Sequence, residues 1–172
     1  MLVRLGTDDE RDIAFNCGDA DLNEFFFKDS RLGCKELVSV TYALIESGRT
    51  LAFFSVSNDA VKRELMSGSA FKRLCRKVEP GKRYSTLPAV KIGRLATSVE
   101  FQGSRVGTQI IDFIKFWFTR DNKTGCRFII VDAYNSERTV NFYLKNGFSF
   151  LLTNDKKDKT RLMIFDLKTI KP

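Results

Sequence analysis

Along the chain, apolar positions recur with a strand-like period of two in some stretches and a helix-like period near 3.6 in others, which predicts an α/β or α+β protein. Leu2 to Leu5 reads as a short first strand. Asp19 or Asp21 is placed to cap a helix running through Asn23 to about Ser30, with Leu22, Phe25 and Phe26 as its apolar face. Val38 to Ile45 and Leu51 to Val56 are rich in β-formers and flank Ser47-Gly48-Arg49, the pattern of a hairpin. About Asp59 to Lys77 reads as one or two short helices, broken by Pro80-Gly81. Ala89 to Thr97 is a central strand, and a glycine-containing turn follows it at Gln102 to Gly107. Ile110, Ile111, Phe113, Ile114, Trp117 and Phe118 then recur at helical spacing as core positions. Arg127 to Val131 is a buried strand, and Ser136 to Lys145 a helix stopped at Gly147. Phe148 to Leu152 and Arg161 to Phe165 are the last strands, with Asn154 to Lys159 as a solvated hairpin tip.

The strand–turn–helix unit around Gln102 is where chemistry enters. A helix start presents backbone N–H groups without intrahelical partners and the positive end of the helix dipole, which suits an anion such as a pyrophosphate. Gly103 and Gly107 permit close backbone approach. The spacing is neither that of a Walker loop nor GxGxxG, and an ordinary turn or packing contact also uses glycines this way.

Composition narrows the classes. A chain of 172 residues fits one domain, residues 1–172, and its apolar and charged fractions, 43% and 29%, are those of a folded globular protein. No apolar run nears the roughly 20 residues that span a bilayer, and Met1 to Asp9 turns polar too early for a signal peptide, so a cytoplasmic location without membrane partner is expected. Cys17, Cys34, Cys75 and Cys126 form no CxxC pair and are expected as reduced thiols. The chain has no histidine, which excludes Ser-His-Asp and Cys-His catalysis, His-ligated metal and a His base; no metal site is expected. The net charge of +8 is uneven: residues 62–83 carry eight basic and two acidic side chains. Such a stripe either meets phosphates or is the solvated face of a surface helix.

Four elements, in order, resemble the GNAT superfamily of acyl-CoA N-acyltransferases. Ile92 to Ser98 (IGRLATS) resembles the strand whose backbone pairs with the pantetheine arm. Gln102 to Ile111 (QGSRVGTQII) resembles the Q/R-x-x-G-x-G/A pyrophosphate loop and its helix, with Arg105 standing where the pattern has its middle glycine. Asn135, after the strand ending Val131-Asp132-Ala133, resembles the asparagine that touches the cofactor, and Asn141-Phe-Tyr-Leu-Lys-Asn-Gly-Phe148 the closing FYxKxGF signature. The resemblance implies a mixed central sheet of about six to seven strands flanked by helices, acetyl-CoA as cosubstrate, and cofactor contacts at Leu95, Ala96, Thr97, Gln102, Gly103, Ser104, Arg105, Val106, Gly107, Thr108 and Asn135. It also implies Tyr143 near the thioester sulfur, as general acid for the leaving thiolate, with backbone N–H groups near Leu95–Thr97 polarising the carbonyl. On local chemistry alone, Tyr143 also fits a core aromatic, Asn135 a helix N-cap, and Arg94 either a partner of a buried acid or a neighbour of the substrate amine. Glu100 is the carboxylate nearest the strand in sequence.

The implied activity is acetyl transfer to an amine. Near pH 7.5 roughly a third of an α-amino group is neutral against roughly 0.1% of a lysine amine, so a site without a strong base suits the former. Phe15-Asn-Cys-Gly-Asp-Ala-Asp-Leu-Asn-Glu-Phe-Phe26 resembles the F-x-C-G-x-x-x-L-N-x-F segment of a GNAT branch containing toxins that acetylate aminoacyl-tRNA beside a ribbon-helix-helix antitoxin. The expected partners are therefore an amine substrate, tRNA through the basic 62–83 segment, an antitoxin and a second copy of the chain. A small-molecule or protein amine is the alternative acceptor, and a non-catalytic module that binds coenzyme A is the alternative to an enzyme.

Overall fold

Ser47 and Gly48 both take positive φ, 49° and 77°. Two such residues make the tight turn whose twist matches antiparallel strands, so the hairpin forms where the sequence predicts it. It joins β2 (Val40–Glu46) to β3 (Arg49–Lys62), paired from Glu46↔Arg49 to Val40↔Val56 with a register shift between Leu44 and Ile45. The chain is taken from a computed structural model, which describes residues 1–78, 84–120, 122 and 124–170. Pro80-Gly81, Lys82 and Arg83 lie outside the described residues.

With β1 (Leu2–Leu5), β4 (Thr86–Thr97), β5 (Phe128–Tyr134), β6 (Ser149–Phe150) and β7 (Thr160–Asp166), the strands form a mixed seven-stranded sheet in the order β1-β2-β3-β4-β5-β7-β6. The fold divides into two compact units: residues 1–57 with 92–114, and residues 58–91 with 115–172.

In the first unit, β1 pairs antiparallel with β2. Leu5, Phe15, Phe26, Ala43, Phe53 and Ala96 form the buried core, with Phe26 stacked on Phe53 at 5.0 Å between ring centroids. The helix expected from Asn23 to Ser30 starts earlier and ends later. It runs as α1 (Ala20–Glu24), a π turn at Phe25–Asp29, and α2 (Ser30–Lys35). Asp19 is the cap, accepting from Leu22 N at 3.0 Å. The Phe26 carbonyl accepts instead from Ser30 Oγ at 2.8 Å and from buried Arg11 Nε at 3.3 Å. Burial lowers the Arg11 pKa, so this guanidinium is held by the carbonyls around it, those of Asp9 and Gly6 included.

In the second unit, β5 pairs antiparallel with β7, and β7 with β6. Val61, Phe71, Leu87, Phe128, Ile130 and Ile164 are central to its core. The expected helices over Asp59–Lys77 are corrected: residues 59–62 still belong to β3, Arg63–Leu65 is a 3₁₀ turn, and α3 covers Gly68–Cys75. The run 154–159 is not wholly solvated either. Asp155 is buried, pairs with Arg161 Nε at 2.9 Å and accepts from Leu162 N at 2.8 Å. The helix α4 (Val106–Arg120) buries Ile110, Ile111, Ile114 and Phe118, but Phe113 is part-exposed and Trp117 only half-buried. All four cysteines are free thiols, with Cys17 and Cys126 buried. No helix among the described residues is long and apolar enough to cross a membrane.

Candidate functional site

The predicted site residues fall into the two units. In the first, β4 ends at Thr97, a 3₁₀ turn covers Val99–Phe101, and α4 begins at Val106. Strand alternation sends the Ala96 side chain into the core, so only its backbone is open to a ligand, while Leu95 and Thr97 are half-buried on the other face. Gln109 N donates to Arg105 O at 3.0 Å as the first i→i−4 bond of α4. The N–H groups of Val106, Gly107 and Thr108 therefore precede the intrahelical ladder.

Gly103 and Arg105 both occupy the left-handed region, at φ 83° and 67°. Arg105 thus adopts the backbone that glycine supplies at that place in the family pattern, and the arginine substitution leaves the loop's shape intact. A non-glycine residue there costs about 1 kcal/mol, kept only where the surroundings over-determine it. Gly103, Ser104 and Arg105 are exposed, and a Cβ on Gly103 would meet nothing within 4 Å. The turn is open and not filled by side chains.

Two of the expected cofactor contacts have side chains committed to the loop itself. Ser104 Oγ donates to Phe101 O at 2.6 Å, and Gln102 Nε2 donates to Thr97 O at 3.1 Å and Cys17 O at 2.8 Å. Arg94 lies over the Phe25 ring at 5.4 Å and 3.8 Å from Asp21, so its acid partner is an exposed one. Glu100 is exposed and held by Arg49 Nη2 at 3.2 Å from both carboxylate oxygens, which engages it away from base chemistry.

In the second unit, Asn135 follows β5 directly. It is not the N-cap of α5 (Glu137–Lys145); Ser136 is, accepting from Thr139 N at 3.3 Å. The Asn135 Nδ2 donates to the carbonyls of Lys156 and Asp158, at 3.0 and 2.8 Å, and its backbone N–H to Lys159 O. Exposed Asn135 therefore fastens the β6–β7 connection, a role that local spacing did not reveal. Tyr143 is buried in α5 against Phe142 and Phe148, with ring centroids 5.1 and 5.3 Å away. Burial raises its phenol well above the ordinary value. The hydroxyl stays protonated through the physiological range: a loaded hydrogen-bond donor, and a reluctant acid until a developing anion lies beside it. Gly147, at φ 77°, ends the helix, and its Cβ would stand 3.2 Å from Phe165.

The basic residues Lys62, Arg63, Lys72, Arg73, Arg76 and Lys77 are all exposed, while Phe71 points into the core. A cleft of about 250 Å³ in this unit is lined by Met66, Leu74 and Phe150 and by Arg73 and Lys77. Among the described residues no cluster of metal-ligating side chains occurs.

No protein-family model matches the chain. Solved structures do. A tyrosine-to-phenylalanine mutant of KacT matches at TM-score 0.76 and 22% identity over 98% of this chain and 96% of that one. AtaT complexed with acetyl-methionyl-tRNAfMet matches at 0.76 and 20%, over 98% and 95%. A tyrosine-to-phenylalanine mutant of the AtaT toxin, bound to the C-terminus of the antitoxin AtaR and acetyl-CoA, matches at 0.75 and 19%, over 98% and 94%. The chain therefore has the GNAT fold, the one it shares with the AtaT toxin and KacT over nearly its whole length.

Proposed function

We propose that this chain is an acetyl-CoA-dependent N-acetyltransferase acting on the α-amino group of aminoacyl-tRNA. The observation that carries it is the open turn at Gly103–Arg105. Its left-handed backbone turns the chain into α4, and the N–H groups of Val106, Gly107 and Thr108 are left for a diphosphate. In the reaction, the amine nitrogen bonds to the thioester carbonyl carbon, the carbon–sulfur bond breaks, and the leaving thiolate takes a proton. Tyr143 Oη holds that proton, and the amine's surplus proton passes to water. Backbone N–H groups at the end of β4 steady the oxygen that gains charge. The absence of histidine, with Glu100 tied to Arg49, suits an amine that is already neutral near pH 7.5.

The exposed basic residues of 62–77 supply the charge that a tRNA backbone meets. The complexes of AtaT with acetyl-methionyl-tRNAfMet and with antitoxin AtaR support a tRNA substrate and an antitoxin partner for this chain. Incubation with labelled acetyl-CoA and total aminoacylated tRNA tests the reading. N-acetylated aminoacyl ends are expected. Transfer to lysine peptides or small amines alone overturns the tRNA assignment, and acetyl-CoA binding without transfer to any amine overturns the enzyme.

A further inference from the structure

We propose that the segment Phe15 to Asn23 is a brace that sets the acyl-donor loop, with Gln102 as its positioning residue; this rests on the acetyl-CoA reading above. The segment is a closed hydrogen-bonded knot. Asn16 Oδ1 accepts from Gly18 N at 2.8 Å and from Asn23 Nδ2 at 2.9 Å. Asn23 Oδ1 accepts in turn from Cys17 N at 2.9 Å and Cys17 Sγ at 3.1 Å. Buried Cys17 and Phe15 seat the knot in the core of the first unit. Burial pushes the Cys17 thiol up, so it remains a neutral S–H donor to Asn23.

The knot grips residues 97–102 at three points. Val99 N donates to Asn16 O at 2.8 Å. Gln102 Nε2 donates to Cys17 O at 2.8 Å and, with its other hydrogen, to Thr97 O at 3.1 Å. Gly18 takes φ 81° and its Cβ position lies 3.3 Å from Val99 Cγ1, so a side chain there would press on the turn. Gly103 and strained Arg105 follow at once. A turn containing a non-glycine residue at φ 67° holds its shape only if its entry is fixed, and the brace fixes it. None of Asn16, Cys17 or Asn23 has to touch the donor. Their effect reaches it through the direction in which the α4 N–H groups point.

The test uses the full chain with Asn23→Ala and Gln102→Met. Calorimetry with acetyl-CoA and steady-state rates with a saturating amine are measured beside the melting temperature. Each variant is expected to weaken acetyl-CoA affinity and raise its KM about ten-fold while kcat and the KM for the amine stay within about two-fold. The double variant should lose less than the product of the two single losses, because both break one linkage. A role confined to stability would lower the melting temperature and leave the donor KM of the folded fraction unchanged, which overturns the proposal. If one variant does not fold, the other decides. Failure of the unaltered chain to bind acetyl-CoA removes the functional reading itself, and the brace with it. Binding by the unaltered chain and equally tight binding by both variants removes the brace alone.

Discussion

The side-chain amide of Gln102 donates to the Thr97 carbonyl at 3.1 Å, which closes the short path from the end of β4 to the turn before α4 into a ring. The same nitrogen reaches Cys17 O, 85 residues away in sequence. The start of α4 is thus aimed by side chains that make no direct demand on a ligand.

Arg105 sits at φ 67° in this ring's exit, so removing its Cβ should relieve strain. Arg105→Gly is expected to leave the protein equally stable or up to about 1 kcal/mol more stable, the lost strain being partly offset by a freer unfolded chain. Arg105→Ala keeps the strain and removes the charge. If the guanidinium helps hold the diphosphate, both variants lose acetyl-CoA affinity by a similar factor, and the loss shrinks at high salt. Thermal melts and calorimetry separate the two effects; a clear drop in melting temperature for Arg105→Gly contradicts the strain assignment.

Tyr143→Phe is expected to keep acetyl-CoA affinity and lower kcat by about 100-fold. Burial raises the phenol pKa, so the alkaline limb of the rate profile below about pH 10 should not come from Tyr143. The stability consequence has a definite sign. An unfolded tyrosine ionises near 10 and the folded one higher, so this stability is complete below pH 10 and is lost as pH rises further. Melting curves should fall less steeply above pH 10 for Tyr143→Phe than for the parent. Identical slopes would place the ionisation elsewhere.

Lys72→Glu together with Arg76→Glu reverses two exposed charges on and just after α3. Acetylation of aminoacyl-tRNA should weaken, and the salt dependence of tRNA binding should flatten by roughly 1.5 in log–log slope. Turnover of a small α-amine should be untouched. An unchanged slope makes these residues the solvated face that the sequence equally allows.

Asp155→Ala leaves Arg161 buried without its carboxylate and Leu162 N without its acceptor. The expected loss is about 3 kcal/mol, or roughly 6–12 °C in melting temperature for a chain of this size. Asp158→Ala, in the same connection, provides the contrast and should change stability by about 0.5 kcal/mol or less. Equal melting temperatures for the two variants would show that the Asp155–Arg161 pair holds nothing.

Much of this was legible in the chain because local chemistry agreed with tertiary demand. The Ser47-Gly48 turn, β4 and its glycine turn, and α5 with its Gly147 stop all follow from periodicity and special backbone residues. Three things were not legible. Residues 59–62 continue β3 because Val61 is buried in the second core, and that partner lies far off in sequence. Asp155 looked solvated among lysines, yet its partner Arg161 sits across the turn. The roles of Gln102 and Asn135 as fasteners depend on which carbonyls they meet, and no one-dimensional spacing encodes that. The left-handed conformation of Arg105 was open at the sequence level, since the residue type argues against it and the loop pattern argues for it.

The π turn at Phe25–Asp29 makes the N-terminal helix unequally tolerant of changes in length. A π turn holds one residue more than the α turn it replaces. Deleting one residue there would let the backbone relax to a regular spiral but rotate everything after it by about 100°. Ser30 and Gly33, now packed inward, would swing toward water, and exposed Leu32 would be carried round in the other direction. The surplus residue is a phase-setter between two helical faces, and a chain one residue shorter in this stretch would have to repack both α2 and the contacts of Arg11.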